Sequence, residues 1–270
     1  MSNILITGGN GFLGTRIVEE LQKENNCKPI SRKNNVDIKD YESFNNIDFE
    51  PEIIIHSAAN LNDNIEEGFL SNTLGTFNIC KYSKEKNVKH LILISSIFIF
   101  NNIENGYFNN YGFSKKQAED IAIRYCQENN IKLTILRCSQ IYDERQNARK
   151  SQGMLYYFID TIKEKREINI FGKKNPIRNY IFVEDVVNII KNCTENKIYG
   201  IYNIINPKNH TITEIVYTIF DILNIKPNIN YLKDKEDILS IYIPSDNLYP
   251  NYENYLDLQS GIKKIINYEK

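Results

Sequence analysis

The sequence predicts an α/β protein: a doubly wound parallel sheet with a smaller α/β lobe interleaved with it. Three observations carry this. Over the first two-thirds of the chain, short apolar runs alternate with longer amphipathic stretches, the pattern of βαβ units with right-handed crossovers. Runs such as Ile53-Ile-Ile55 and Leu91-Ile-Leu-Ile94 are apolar at every position, as strands covered on both faces are. A glycine-spaced turn, Gly8 to Gly14, joins the first apolar run to the first amphipathic one.

Element by element, strands are expected at Ile4–Thr7, Lys28–Ser31, Ile53–Ser57, His90–Ser95 and Lys132–Leu136. Between and after them, helices are expected at Gly11–Lys23, Ile65–Asn87, Tyr111–Asn129 and Gly153–Lys165. Beyond Asp143 the alternation loosens. Short strands (Ile168–Phe171, Asn179–Val183, Gly200–Ile204, Ile229–Leu232) mix with helices (Glu184–Asn192, Thr211–Leu223, Gln259–Asn267). The expected division is a dinucleotide-binding domain over residues 1–143, with a segment near 179–204 returning to it, and a lobe over 144–270 that mainly binds substrate.

Composition removes several classes. The 33 basic and 34 acidic side chains leave a net charge of −1, without the strong positive field of a general nucleic-acid binder. The longest apolar run, Leu91 to Phe100, is interrupted by Ser95 and Ser96, so no bilayer span of about 18 residues exists. The first residues enter a strand-like run at once, with no basic leader or cleavage site. The five cysteines are scattered, odd in number and outside any CxxC or Cys/His cluster. Neither a disulfide framework nor a metal site is expected, and reduced cysteines suit a cytoplasmic protein.

The glycine turn has the spacing of a dinucleotide site. Residues 3–14 read Asn-Ile-Leu-Ile-Thr-Gly-Gly-Asn-Gly-Phe-Leu-Gly, with Gly8, Gly11 and Gly14 three apart between a strand and a helix. One glycine permits the tight turn, one lets backbone N–H groups approach a pyrophosphate, and one lets the helix pack on the strand. The helix that opens at Phe12 and Leu13 turns its positive end toward the diphosphate. A plain turn is the alternative, and the strand before and helix after argue against it. At the end of the second strand, where an NAD site usually carries an acid for the ribose 2′-hydroxyl, stands Ser31-Arg32-Lys33. A hydroxyl followed by two cations suits a 2′-phosphate. A solvated basic turn is the competing reading.

Tyr111-Gly-Phe-Ser-Lys115 opens the third helix. A tyrosine and a lysine four apart share a helical face, and an ammonium beside a phenol favours the phenolate. That makes Tyr111 a usable acid or base. In a chain with 18 tyrosines the spacing alone says little. It gains weight from Ser95-Ser96 at the end of an apolar strand, since ligands of such sheets bind at the carboxyl ends of the strands.

At this point the sequence resembles the extended short-chain dehydrogenases/reductases, the NAD(P)-dependent epimerase/dehydratase family of nucleotide sugars, with a Rossmann-type fold. The resemblance covers nearly the whole chain: Thr7–Gly14, Asp37-Ile38 (taken to follow a third strand), His56-Ser-Ala-Ala59 and Asn72-Thr-Leu-Gly-Thr-Phe-Asn78. It continues through Ser95-Ser96 with Ile99-Phe100, Tyr111 and Lys115, Leu136–Tyr142, Arg178–Asp185, Tyr202-Asn-Ile204 and Leu258–Ile266.

The resemblance implies roles. Tyr111 is the general acid/base, Lys115 holds the nicotinamide ribose and tunes Tyr111, and Ser96 bonds the reacting sugar oxygen. Asp37 and Ile38 flank the adenine, and Ala58 and Ala59 line the cofactor. Asn72 falls at a structural helix start. Gln140 stands near the substrate diphosphate, and Arg178 clamps it with its guanidinium fork. A surface ion pair is the bland reading of Arg178, and a small buried apolar role that of Cys138. The family's second diphosphate arginine has no clear counterpart; Lys233 or Lys235 is expected to substitute for it. The family also implies a homodimer through helices 65–87 and 111–129.

Two departures shape the expected reaction. The family's 4,6-dehydratases carry an Asp-Glu pair after the serine or threonine, and here stand Ile97 and Phe98, which move no protons. Glu104 is the nearest downstream acid. Asp143-Glu144 replaces the usual Gly-Pro. The leading expectation is an NADP(H)-preferring reductase of a nucleotide-diphospho-4-keto sugar, in a pathway such as polysaccharide biosynthesis, with NAD(H) also possible. The alternative is an NAD-dependent nucleotide-sugar 4-epimerase. A non-catalytic dinucleotide-binding regulator is a third. No nucleic-acid or membrane partner is expected.

Overall fold

A computed structural model describes residues 1–100, 109–250 and 253–268. In chain order the elements are β1 (Asn3–Thr7), α1 (Phe12–Leu21), β2 (Asn26–Ile30), β3 (Ile53–His56), α2 (Ile65–Gly68), α3 (Gly75–Glu85), β4 (His90–Ser96), α4 (Asn110–Glu128), β5 (Lys132–Cys138) and β6 (Gln140–Tyr142). Then follow α5 (Gly153–Lys163), β7 (Ile168–Phe171), β8 (Ile177–Arg178), β9 (Tyr180–Phe182), α6 (Val183–Glu195), β10 (Gly200–Ile204), β11 (His210–Thr211), α7 (Ile212–Leu223), β12 (Ile229–Leu232) and α8 (Leu258–Asn267).

The chain divides into two compact units. The first comprises residues 1–138, 186–204 and 244–250, so the division falls between β5 and β6 and again inside α6. Its centre is a six-stranded sheet in the order β10-β5-β4-β3-β1-β2, parallel throughout. The expected doubly wound parallel sheet is what the chain forms. The apolar runs fill it: Ile4, Leu5, Ile6, Ile54, Ile55, Leu91, Ile92 and Leu93 are all fully buried. Parallel pairing sets Thr7 beside His56 and Ser96 beside Cys138. The carboxyl ends of these strands therefore share one edge, the edge where such sheets bind ligands.

The helical run after β3 differs from the single expected helix. Phe69–Leu74 is a π-helical segment between α2 and α3, a local widening often found at functional sites. Asn72 sits inside it, midway along the run and not at a helix start. Its amide explains the position: Nδ2 donates to Asn60 O (2.9 Å) and to Ser114 Oγ (2.9 Å), while Oδ1 accepts from Asn60 N (2.8 Å). One buried side chain thus ties the loop after β3 to α4.

Two buried histidines are held by threonines. His56 lies between Thr7 Oγ1 (2.7 Å) and Thr76 Oγ1 (3.1 Å), and His90 meets Thr134 Oγ1 (2.7 Å). Burial pushes His56 down to about 3, aided by the Lys115 charge, and His90 down to about 4. Both are neutral when folded, and the unfolded chain binds their protons near pH 6.5. Stability from these sites is therefore complete above pH 6.5 and falls as pH drops from there toward 4 and 3. Urea titrations at pH 7 and pH 5 are expected to differ by about 2 kcal/mol for each histidine. His90→Gln removes one share of that pH dependence, and an unaltered slope in that variant contradicts the assignment.

The second unit comprises residues 139–185, 205–243 and 251–270. It holds three two-stranded pairings, β6 with β9, β7 with β12 and β8 with β11. Its core gathers Tyr156, Phe182, Ile215, Ile219, Phe220 and Ile262. Gly261 permits a close approach here, since a Cβ would fall 1.8 Å from Tyr142 Oη. The pairs β6/β9 and β8/β11 are too short to show a period of two in the sequence.

Candidate active site

The glycine turn is built by contacts that allow no side chain. Gly8 has φ +65°, and a Cβ there would meet Ala58 Cα at 2.8 Å. A Cβ on Gly14 would fall 2.1 Å from Gly8 O, so α1 could not pack on its own loop. Gly11 differs: its Cβ would meet Gly8 O at 3.0 Å and otherwise open space. Gly11 N donates to Gly8 O (2.8 Å), and Gly11 caps α1 without any side-chain bond. Phe12 and Leu13 begin the helix, half-buried. A turn with a bare helix start and an open glycine at its cap fits a dinucleotide pyrophosphate.

The neighbouring strand ends complete this edge. Ala58 N donates to Thr7 Oγ1 (3.2 Å) and Ser57 Oγ to Thr7 O (2.6 Å), which fixes Ala58 and Ala59 beside the turn. Ser31 Oγ donates to Asn10 Oδ1 (2.6 Å), linking the end of β2 to the glycine turn. Ser31 also caps a 3₁₀ turn, Arg32–Asn34. Arg32 and Lys33 are exposed and make no salt bridge among the described residues. Asp37 and Ile38 do not follow a third strand, as the sequence suggested. They lie between β2 and β3, where Asp37 N donates to Ser43 Oγ (3.0 Å) and Ile38 O accepts from Asn78 Nδ2 (2.8 Å). Two 3₁₀ turns occupy this stretch instead of a strand.

Ser96, Tyr111 and Lys115 come together at the end of β4 and the start of α4. Tyr111 hydrogen-bonds the Ser96 side chain, and Ser96 Oγ also accepts from Phe98 N (3.2 Å). The Phe98 ring stands edge-on to Tyr111, centroids 6.3 Å apart. Gly112 permits this approach, since a Cβ there would fall 2.3 Å from Phe98 O. Asn109 caps α4, accepting from Gly112 N (2.6 Å). Lys115 is fully buried and donates from Nζ to Ile94 O (2.6 Å).

The electrostatics differ from the expectation that Lys115 pulls the phenol down. Burial pushes Tyr111 above its ordinary value, the Ser96 hydrogen bond opposes this, and Cys138 adds to it. Lys115 is itself lowered to about 8 by burial, while Glu119 and Cys138 favour its charged form. Tyr111 thus keeps its proton at neutral pH, the form of a proton donor. The spacing of Tyr111 and Lys115 did not reveal that Lys115 is fully buried while Tyr111 is only half-buried.

In the second unit, Gln140 and Arg178 lie on neighbouring pieces of chain. Gln140 N donates to Asn179 O (3.2 Å), and β6 pairs with β9 directly after Arg178. Gln140 Nε2 donates to Gln152 Oε1 (3.1 Å), and its own Oε1 has no partner among the described residues. Arg178 is buried, with Nη1 donating to Ile177 O and Leu239 O (both 2.8 Å). It is therefore not a surface ion pair. Lys233 and Lys235 are exposed on the turn after β12. Asp143 is fully buried, and its Oδ1 accepts from Ala148 N (3.0 Å) and Tyr156 Oη (3.0 Å). The departure at Asp143 is thus a local brace for the following turn. Glu104 lies outside the described residues.

Among the described residues no group of three or more potential ligands is placed to hold a metal, and no helix is long and apolar enough to cross a membrane.

Comparison with known proteins agrees with this geometry. A protein of Methanocaldococcus jannaschii, named provisionally as a UDP-glucose 4-epimerase, is 28% identical over 99% of this chain and 98% of its own length. The structure of UDP-glucose 4-epimerase from Thermus thermophilus in complex with NAD superposes with a TM-score of 0.77 at 21% identity, covering 98% of each chain. That of dTDP-4-dehydrorhamnose reductase from Bacillus anthracis in complex with NADP gives 0.76 at 23% identity, again over 98% of each chain. The NAD dependent epimerase/dehydratase family matches residues 4–204. That match spans most of the 270 residues and takes in the glycine turn, Ser96, Tyr111, Lys115, Gln140 and Arg178, so the chain is an enzyme of the NAD dependent epimerase/dehydratase family.

Proposed function

We propose that this enzyme reduces the 4-keto group of a nucleotide-diphospho sugar, with NADPH as the preferred reductant. The dinucleotide, when bound, supplies the hydride. Tyr111 gives its proton to the carbonyl oxygen, so the ketone becomes a hydroxyl and the phenolate takes a proton back from solvent. Ser96 holds the same oxygen, and the buried Lys115 holds the nicotinamide ribose. Gln140 and Arg178 serve the sugar diphosphate. Ile97 and Phe98, directly after Ser96, offer no acid–base pair for dehydration at those two positions.

The observation that carries this reading is the end of β2. No acid stands there; Ser31 caps a turn whose Arg32 and Lys33 are exposed and without salt bridges among the described residues. A 2′-phosphate would gain a charge-assisted contact worth about 1.5–3 kcal/mol. Titration of wild type with NADPH and NADH is expected to show about 10-fold or greater preference for NADPH. Arg32→Ala is expected to remove most of that preference without altering NADH affinity. Equal wild-type affinities, or an unchanged preference in the variant, contradict the reading.

The second reading is a 4-epimerase that oxidises and re-reduces the sugar on retained NAD. The Methanocaldococcus relative, similar over almost the full length of both chains, favours it. Both readings use Tyr111, Lys115 and Ser96. We further propose a homodimer through α3 and α4 and the segments before α3, on which Ile65, Phe69, Phe77 and Phe113 are exposed. All five cysteines are free thiols, which suits the cytoplasm.

A further inference from the structure

Beneath Lys115 lies a second buried cluster that the proposed reaction does not use. Glu119, one helical turn after Lys115, has 0% exposure. Its Oε1 accepts from Ser95 Oγ (2.5 Å) and Arg137 Nε (3.1 Å). Its Oε2 accepts from Arg137 Nε (3.1 Å) and Nη2 (2.7 Å). Ser95 immediately precedes Ser96 on β4, and Arg137 immediately precedes Cys138 on β5. In the sheet register Ser95 stands beside Arg137 and Ser96 beside Cys138. One carboxylate thus joins α4 to the last residues of both strands.

We infer that Glu119 is a positioning residue: its carboxylate fastens the ends of β4 and β5 to α4 and supplies the negative charge that keeps the Lys115 ammonium charged. The inference rests on the oxidoreductase reading of Tyr111 and Lys115. Its physical basis is a count of charges. Lys115 is buried against Ile94 O, with the Glu119 carboxylate below it. Apart from Tyr111, whose phenol burial keeps protonated, the other titratable groups that face it are His56 from β3 and Cys138 from β5. Burial holds His56 neutral and pushes Cys138 up to about 12. Neither can balance an ammonium at neutral pH. Arg137 is itself cationic and is spent on the same carboxylate. Glu119 therefore balances two cations, the buried Lys115 and the partly buried Arg137. Without it the Lys115 ammonium is the less favoured form, and the lysine loses its proton at lower pH.

A merely structural Glu119 would matter only through packing, and two variants separate the possibilities. Glu119→Gln keeps shape and partial hydrogen bonding but removes the charge. Glu119→Met/Arg137→Met replaces the whole ion pair with apolar side chains, a change that buried pairs often tolerate. The direct readout is the Lys115 Nζ titration by NMR in ¹⁵N-lysine-labelled protein, assigned with Lys115→Met. Wild type is expected to titrate near pH 8. Glu119→Gln is expected to titrate lower, by about one unit or more, as for loss of an opposite charge within reach, and the double variant lower by less, because it removes the Arg137 cation as well. The alkaline limb of NADPH binding is expected to move down with it. A folded variant in which Lys115 titrates as in wild type overturns the proposal, even if turnover falls. The NMR midpoint needs no sugar, so an inactive wild type would defeat the reductase reading and leave this test standing.

Discussion

Tyr111→Phe is expected to keep the fold and the cofactor affinity while reducing turnover about 10²–10⁴-fold, the usual cost of losing a general acid. The substitution removes one oxygen. The ring stays packed edge-on to Phe98, and Gly112 still lets α4 approach the turn after β4. Ser96 Oγ keeps its bond from Phe98 N. The loss therefore belongs in kcat and not in stability or in the dissociation constant for NADPH. Thermal unfolding, cofactor titration and single-turnover kinetics on one preparation check this. A variant with near-normal kcat removes Tyr111 from the chemistry, and one that fails to bind cofactor makes its role structural.

The protonation state adds a direction. Because burial raises Tyr111, the phenol is protonated through the neutral range. Lys115 loses its charge near pH 8. Reduction is therefore expected to hold level below that pH and to decline above it, as the lysine gives up its proton. The four-residue helical spacing of Tyr111 and Lys115 alone suggests the opposite balance, a phenol drawn down by a neighbouring ammonium.

What the sequence disclosed depended on how local each signal was. The central strands of the first sheet were legible because their apolar runs, Ile53–Ile55 and Leu91–Ile94, are buried on both faces, whereas β2 at the edge, half-exposed and carrying Lys28 and Pro29, gave a weaker signal. The glycine turn was legible because its three glycines sit at fixed offsets, and the structure supplies the reason: a Cβ at Gly8 or Gly14 would strike backbone. Tyr111 and Lys115 follow from a four-residue helical spacing. The π-helical segment at Phe69–Leu74 was not legible, because nothing in that stretch breaks helical periodicity. Asn72 inside it reaches main chain 12 residues away and a serine 42 away, contacts that no local pattern announces. Glu119 was missed for a similar reason. In sequence it is one acidic residue in an amphipathic helix, and only the pairing of β4 with β5 brings Ser95 and Arg137 to it. Asp143 stood out as a departure from the family pattern, yet its partners Ala148 and Tyr156 lie within 13 residues and brace a turn.

The second large effect concerns the reaction itself. In the proposed site Tyr111 is the proton donor beside Ser96 and the buried Lys115, and the two residues after Ser96, Ile97 and Phe98, carry neither an acid nor a base. Ile97 is buried and Phe98 packs on Tyr111, so neither position is a solvent-exposed place for water to substitute. The enzyme is therefore expected to consume a 4-keto sugar nucleotide but not to make one. Offered nucleotide-diphosphoglucose with NAD, it should form no ketone. Offered a preformed 4-keto-6-deoxy sugar nucleotide with NADPH, it should oxidise one NADPH for each ketone reduced, and the product should carry a new C4 hydroxyl.

That stoichiometry tests the central claim most directly. NADPH loss, followed by its absorbance beside product formation by mass spectrometry, is expected to run one to one until the ketone is exhausted. Interconversion of two C4 epimers with no net loss of NADPH would contradict the claim and establish the epimerase instead.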